Sequence, residues 1–320
     1  MKAWAIVAGL LGLGGIVAAA LIGQRAQASA DGLSNVLAVA EHTASRAASV
    51  APVAPVAPAA AVAPAASVAP PVSPEALPRA VSFHQTTTYN GSVVYVPDGC
   101  QGAHDVILHF HGAHPYVRDL VEKANINAVV AVFNAGNGAE KYSQAYGAGG
   151  TLSSLLRQVA MATLPLCPGG TQRRVALMAW SAGYAATEKL VSRDEDRERV
   201  DAVLLADGLH AGFTDRWKRT FAPNALQAFR DFGALAKDRK KLFAITHSSI
   251  MTDGYGSTTE CSRLLLQALE VPCKSPLISG SFGDFSIEGF RGDDKAAHIV
   301  QFRQMDTTLL SKLHARWAAR

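Results

Sequence analysis

Ser181 stands in the pentapeptide Ala179-Trp180-Ser181-Ala182-Gly183, between an apolar run of strand length over 175–179 and an alanine-rich stretch carrying Tyr184, Glu188 and Leu190 at helical spacing. A serine on a sharp strand-to-helix turn has its hydroxyl exposed above a sheet, where it can act as a nucleophile. Neighbouring backbone passes close to such a turn, so the residues two before and two after the serine must be small. Ala179 and Gly183 meet that need. The pentapeptide would equally suit an ordinary tight turn, and its chemistry depends on partners elsewhere in the chain.

A hydroxyl becomes a useful nucleophile when a base takes its proton and a third group orients that base. Among ten histidines, His298 follows the loop Gly292-Asp293-Asp294-Lys295 and opens the terminal helix. Two carboxylates compete for the orienting role. Asp207 directly ends an apolar strand over 200–206, flanked by Ala206 and Gly208, so its side chain should emerge at the site. Asp253 lies further beyond the next strand and precedes Gly254, a position that also suits a turn. Asp207 is preferred and Asp253 is the alternative acid.

The elements that must position these groups alternate along the chain. Strands are expected over 81–88 and 92–96, joined around Asn90-Gly91 as a hairpin. A strand over 105–111 leads into Gly112-Ala113-His114-Pro115 and a helix over 115–124. Next come a strand over 127–133, a glycine-rich loop over 134–150 and an amphipathic helix over 151–164. After the serine turn and the strand over 200–206, a helix is expected over 221–235, a strand over 241–246 and a helix over 258–269. A single last strand over 282–290 and a helix over 298–315 complete the chain. Such alternation predicts an α/β fold with a mostly parallel central sheet and helices on both faces. In such folds the site lies at the carboxyl ends of the strands. His111-Gly112, the glycine-rich loop, Ser181, Asp207 and the segment after Thr246 all fall there.

Taken together, the AWSAG turn, the HFHG segment after an early strand and the late GDDKAAH resemble the α/β-hydrolase superfamily of serine esterases and lipases over about residues 81–315. The order serine, acid, histidine is the one expected of that fold. The resemblance implies that the amides of Ala113 and Ala182 face the charge developing on an ester carbonyl oxygen. It also implies that Ser181 is acylated, with His298 moving the proton and no cofactor or metal required. Two departures stand out: Ala179 replaces the motif's first glycine, and the acid is poorly marked. His111, Gly112, Trp180, His210 and His247 are candidate pocket residues. A second resemblance competes, because HFHGAH (His109, His111, His114) is similar to the H-x-H-x-D-H zinc pattern of metallo-β-lactamase-type hydrolases, with Ala113 where that pattern has aspartate. A zinc-dependent hydrolase and a non-catalytic binding domain are therefore the alternatives to a serine hydrolase.

The rest of the sequence bounds location and partners. Residues 1–30 open with Lys2, continue as an unbroken apolar run over 3–22 and end in overlapping small-x-small sites at Ala26, Ala28 and Ala30. They read as a signal peptide or, given the length of the run, a membrane anchor. Residues 31–78 are expected to form an Ala/Pro-rich disordered linker, leaving 79–320 as the expected hydrolase-like domain. The chain is thus expected to be exported, whether secreted, periplasmic or anchored facing outside. A net charge of +4 on 320 residues gives no reason to expect a nucleic-acid partner; the expected partner is a small-molecule or polymer ester, bound by a monomer. Four cysteines in an exported chain suggest disulfides. Cys100 and Cys167 precede two strands which, if adjacent and parallel, bring them to one end of the sheet. Cys261 and Cys273 are then left as the second pair.

Overall fold

The structure, a computed structural model, describes residues 80–147 and 150–319. The signal or anchor segment and the linker expected over 1–78 lie outside the described residues. Twelve strands are formed among those described: β1 (Phe83–Thr87), β2 (Val93–Pro97), β3 (Ala103–Phe110), β4 (Ala128–Phe133), β5 (Thr171–Trp180), β6 (Ala202–Ala206), β7 (Ala211–Asp215), β8 (Thr220–Phe221), β9 (Leu242–His247), β10 (Tyr255–Gly256), β11 (Gly280–Phe282) and β12 (Phe285–Gly289). The helices are α1 (His114–Lys123), α2 (Ala139–Gly147), α3 (Leu152–Thr163), α4 (Tyr184–Val191), α5 (Asp194–Arg199), α6 (Gln227–Lys237), α7 (Thr258–Ala268), α8 (Lys295–Arg303) and α9 (Ser311–Ala318). A π-helical stretch, Asp306–Leu310, joins the last two.

Nine strands form one sheet in the order β1-β2-β4-β3-β5-β6-β9-β12-β11. Its centre is parallel from β4 through β12, and its edges are antiparallel, with β2 on β4 and β11 on β12. The central strands are apolar throughout because both faces are covered. In β5, Val175, Leu177 and Ala179 face one layer while Ala176, Met178 and Trp180 face the other. The first layer packs on Leu152, Leu155 and Val159 of α3 and on Phe229 and Phe232 of α6. The second packs on Val117 and Leu120 of α1 and on Phe302, Leu313 and Trp317 near the carboxyl terminus. The result is a three-layer α/β fold whose strand ends converge on the segments after β3, β5, β6, β9 and β12.

Several elements differ from the sequence expectation. The glycine-rich loop over 134–150 contains α2, whose buried Tyr142 and Tyr146 lie four residues apart on one face. The helix expected over 221–235 begins only at Gln227; Phe221 belongs to β8, and residues 222–226 include Pro223 and a left-handed Leu226. The last strand is a hairpin of β11 and β12, turned at Gly283 with φ +63°. A terminal helix expected from His298 starts at Lys295, capped by the Asp294 side chain accepting from the amide of Ala297. A separate small antiparallel sheet has the order β10-β7-β8.

Cys100 and Cys167 are joined in a disulfide, at the amino ends of the adjacent parallel strands β3 and β5. The expected second pair does not form. Cys261 is buried in α7, where burial pushes its thiol up to about 12, and Cys273 is exposed on the chain beyond that helix. A helix rises about 1.5 Å per residue, so the rest of α7 carries the chain away from Cys261 before Cys273 is reached.

Asp105 ties the same end of the sheet together. Its carboxylate is almost fully buried and accepts paired hydrogen bonds from Arg173 and Arg174, at 2.6–2.9 Å. Burial alone would raise its pKa, but the two guanidinium groups more than offset this and hold the carboxyl below its usual value. Removing one partner of a buried pair costs about 3–5 kcal/mol; here Arg174 is largely buried but the Arg173 side chain is half exposed and is solvated when its partner is lost, so the lower end of that range applies. Asp105→Asn should therefore lower unfolding free energy by about 3 kcal/mol in urea titration near pH 7. Because the folded pKa is depressed, the stabilisation is present in full above the ordinary carboxylate value near 4. It disappears as pH falls through the lower folded value, so wild type and variant should converge in acid.

Candidate active site

Ser181 follows the last residue of β5 and begins a single 3-10 turn, Ser181–Gly183, that leads into α4. Its φ is +49°, a left-handed conformation that costs a non-glycine residue of the order of 1–3 kcal/mol and persists only where surrounding structure enforces it. The enforcement is visible in the glycines. A Cβ on Gly183 would lie 2.0 Å from the carbonyl oxygen of Phe110, and one on Gly208 would lie 2.6 Å from the carbonyl oxygen of Ser181. Backbone from β3 and from the segment after β6 therefore clamps the turn on both sides. Ala179 is wholly buried at the same crossing. A methyl group is accommodated there, which explains why alanine can replace glycine two residues before the serine.

His298 lies in the first turn of α8, with its Nδ1 2.7 Å from Oδ2 of Asp207. A carboxylate accepts, so Nδ1 carries the proton and Nε2 presents its lone pair. Asp207 follows β6, also at positive φ (+43°), and is almost completely buried. Its remaining lone pairs are occupied as well. The amide and hydroxyl of Ser248 donate at 2.9 and 2.7 Å, and the Thr258 hydroxyl donates at 2.8 Å. Burial would raise the pKa of Asp207, but the hydrogen bonds from His298 and Ser248 prevail and hold it below the usual carboxylate range. Asp253, the alternative acid, is not brought to His298; it is exposed in the bend before β10, near Arg219.

Ser181, Asp207, His210 and His298 share one open cavity of about 340 Å3, together with Ser248, Ile250 and Tyr255. Trp180 stands beside it. Its ring stacks with those of His298, His111 and Phe302 at centroid distances of 4.8, 5.3 and 4.9 Å, and its indole N–H donates to the carbonyl of His298. The turn after β3 is also pinned. The Gly112 amide donates to Oδ1 of Asn134 and the Gly112 carbonyl accepts from its Nδ2, at 3.0 and 2.9 Å. His111 and Gly112 both have positive φ (+70° and +137°), and Ala113 follows as the amino-terminal cap of α1.

Other sequence candidates lie elsewhere. His247 does not line the cavity. It is buried between the carbonyls of Ser248 and Ile278, with ring nitrogens at 2.9 and 2.7 Å, and so fastens the end of β9 to the segment before β11. The HFHGAH histidines do not converge on a metal position. His109 is fully buried, and burial lowers its pKa to about 3 despite the hydrogen bond from its Nε2 to the carbonyl of His111; His111 meets the Tyr142 hydroxyl, and His114 meets that of Tyr95. Three contributors were not singled out from sequence: Ser248, Thr258 and Asn134. Each could have been sought by asking which hydroxyl or amide follows a strand or opens a helix. Many residues satisfy that description, and only the fold selects among them.

No protein-family model matches the chain. No curated protein sequence matches it. Among solved structures, it is similar to the Pyrococcus furiosus esterase Pf2001, with a TM-score of 0.38, 12% identity, and 75% of this chain and 92% of that chain covered. The esterase LipW from Mycobacterium marinum gives a TM-score of 0.38 at 14% identity, covering 72% of this chain and 81% of that one. The hyperthermophilic esterase from Pyrobaculum calidifontis gives 0.39 at 12% identity, covering 75% and 86%.

The clamp on the serine turn can be tested through its glycines. Overpacking of this kind typically costs about 1–3 kcal/mol, so Gly208→Ala should lower stability by that amount and displace Ser181. A Cβ on Gly212, four residues on, would meet nothing within 4 Å. Gly212→Ala should therefore change stability by less than about 0.5 kcal/mol. Thermal unfolding of the two variants side by side checks the contrast.

Proposed function

We propose that the protein is a serine hydrolase that cleaves carboxylic esters through an acyl-enzyme. The observation that carries this reading is the 2.7 Å contact from His298 to a saturated, buried Asp207, in the same cavity as a serine held at positive φ. Asp207 accepts the Nδ1–H of His298, which fixes the tautomer and leaves Nε2 as the base. As Ser181 Oγ attacks the ester carbonyl, Nε2 takes its proton. Negative charge collects on the former carbonyl oxygen, which the amides of Ala113 and Ala182 face. His298 then returns the proton to the departing alcohol, leaving the acyl group on Ser181. Water enters, gives its proton to Nε2 and attacks the acyl carbon, and the acid departs as the proton passes back to Oγ. Asp207 stays ionised throughout, since its four donors stabilise the charged form.

Export belongs to the same reading. It is supported by the apolar leader over 1–30 and by the Cys100–Cys167 disulfide, a bond that persists in an oxidising compartment and is rare in the cytosol.

A fluorophosphonate should modify Ser181 covalently, as read by intact-protein mass spectrometry, and Ser181→Ala and His298→Ala should both abolish labelling. Asp207→Asn should lower kcat for a soluble ester by about 10³–10⁴-fold, because the wrong tautomer of His298 is then favoured. Asp253→Asn should have no more effect than an ordinary surface substitution. A folded wild-type protein that takes no label would refute the proposal.

A further inference from the structure

The mechanism above leaves one imidazole in the cavity wall without a task. His210 lies just beyond Asp207 and lines the same cavity as Ser181 and His298. Its ring is held from three sides. Nδ1 is 3.0 Å from the carbonyl oxygen of Gly256. The rings of Tyr184 and Tyr255 meet it edge to face, at centroid distances of 5.3 and 5.0 Å and interplanar angles of 67° and 90°. A carbonyl can only accept, so Nδ1 carries the hydrogen; in the uncharged ring Nε2 is then an acceptor. Burial lowers the pKa of this imidazole and favours that uncharged form.

Within the proposed mechanism, no group among the described residues is hydrogen-bonded to this acceptor. Asp207 receives its hydrogen bonds from His298, Ser248 and Thr258, so His210 adds nothing to the orientation of the base. A fixed acceptor in a substrate cavity selects for a donor. An uncharged imidazole offers a lone pair and no countercharge, so the donor it fits is a neutral hydroxyl rather than an ammonium group; the other charged side chains lining the cavity, Asp293, Asp294 and Lys295, are exposed to solvent.

We infer that His210 is a specificity-determining residue whose Nε2 accepts a hydrogen bond from a hydroxyl group of the bound substrate, so that the preferred substrates are esters bearing a hydroxyl close to the scissile bond. The inference rests on the serine-hydrolase reading and names the substrate class of that same site. A site built to hydrogen-bond a hydroxyl discriminates against the analogue lacking it, because the bound analogue shields the acceptor from water and leaves it unpaired.

The test uses three matched pairs of soluble esters: 4-nitrophenyl 2-hydroxybutyrate and 3-hydroxybutyrate, each against 4-nitrophenyl butyrate, and ethylene glycol monobutyrate against ethyl butyrate. The readout is the ratio of kcat/KM within each pair, in which any general loss of activity cancels. Wild type should favour the hydroxylated member of at least one pair by about tenfold, a net hydrogen bond of ordinary strength. Asparagine can still donate to the Gly256 carbonyl as Nδ1 does but offers no acceptor at the Nε2 position, so His210→Asn should bring that ratio close to one. Glutamine reaches the Nε2 position, and His210→Gln should recover part of the preference. A wild-type ratio within twofold of one in all three pairs overturns the inference, and so does a preference that survives in His210→Asn. Fluorophosphonate labelling of the same samples separates the two ideas: labelling without hydroxyl preference defeats the role of His210 alone, whereas absence of labelling defeats the hydrolase reading and this inference with it.

Discussion

The carboxylate of Asp207 is where the separate parts of the site are fastened together. An ionised carboxylate in an apolar interior is costly unless each oxygen is well supplied with donors. Here the donors come from Ser248 after β9, Thr258 at the start of α7 and His298 in α8, while Asp207 itself follows β6. One buried charge therefore makes four chain segments mutually dependent. The same set holds His298 Nδ1 as a donor, so the interaction that satisfies the charge also sets the tautomer required of a base. Asp207 holds this arrangement at positive φ, a conformation that surrounding structure must enforce.

A second constraint is distance between backbones. Ser181 is held between the carbonyl of Phe110 and the segment at Gly208, and neither approach leaves room for a Cβ. The elbow is thus imposed by its neighbours on β3 and β6 as much as by its own residues. Gly183 and Gly208 lie on opposite sides of the serine and come from different elements, yet they answer the same steric need. Gly112 shows a related restriction after β3, where a Cβ would meet the ring of Phe302 at 3.0 Å and φ is +137°.

Legibility in the sequence followed from how much of each decision is local. Strands β3, β4, β6 and β9 were readable because burial on both faces demands unbroken apolar runs. The serine turn was readable because strand, small residues and helix are contiguous. The choice between Asp207 and Asp253 was readable only in part: a place directly at a strand end favoured Asp207, but both aspartates follow strands near glycines, and the position of α8 decides which one His298 can reach. His247 and His210 likewise look alike in sequence, each following a strand end. One is fastened between two carbonyls in the interior while the other lines the cavity. The strands β8 and β10, of two residues each, carry no periodicity to read, and α2 was hidden in a glycine-rich stretch with only Tyr142 and Tyr146 marking its buried face.

Trp180 explains how the two halves of the proposed chemistry keep their relative placement. It immediately precedes Ser181, so its backbone is fixed by the strand that fixes the serine. Its ring meets His111 in the pinned turn after β3 and His298 in α8, and its indole N–H reaches the carbonyl of His298. A large aromatic ring has few rotatable bonds, so contacts on its surface transmit position with little loss of entropy on ordering. Movement of α8 relative to the sheet would break the hydrogen bond to His298 and the stacking with Phe302 together. The turn that carries Ala113 and the ring of His298 are thereby referenced to one side chain adjacent to Ser181, the proposed nucleophile. An attacking oxygen, a proton acceptor and a site for developing charge need that common frame if they are to act on one carbonyl group.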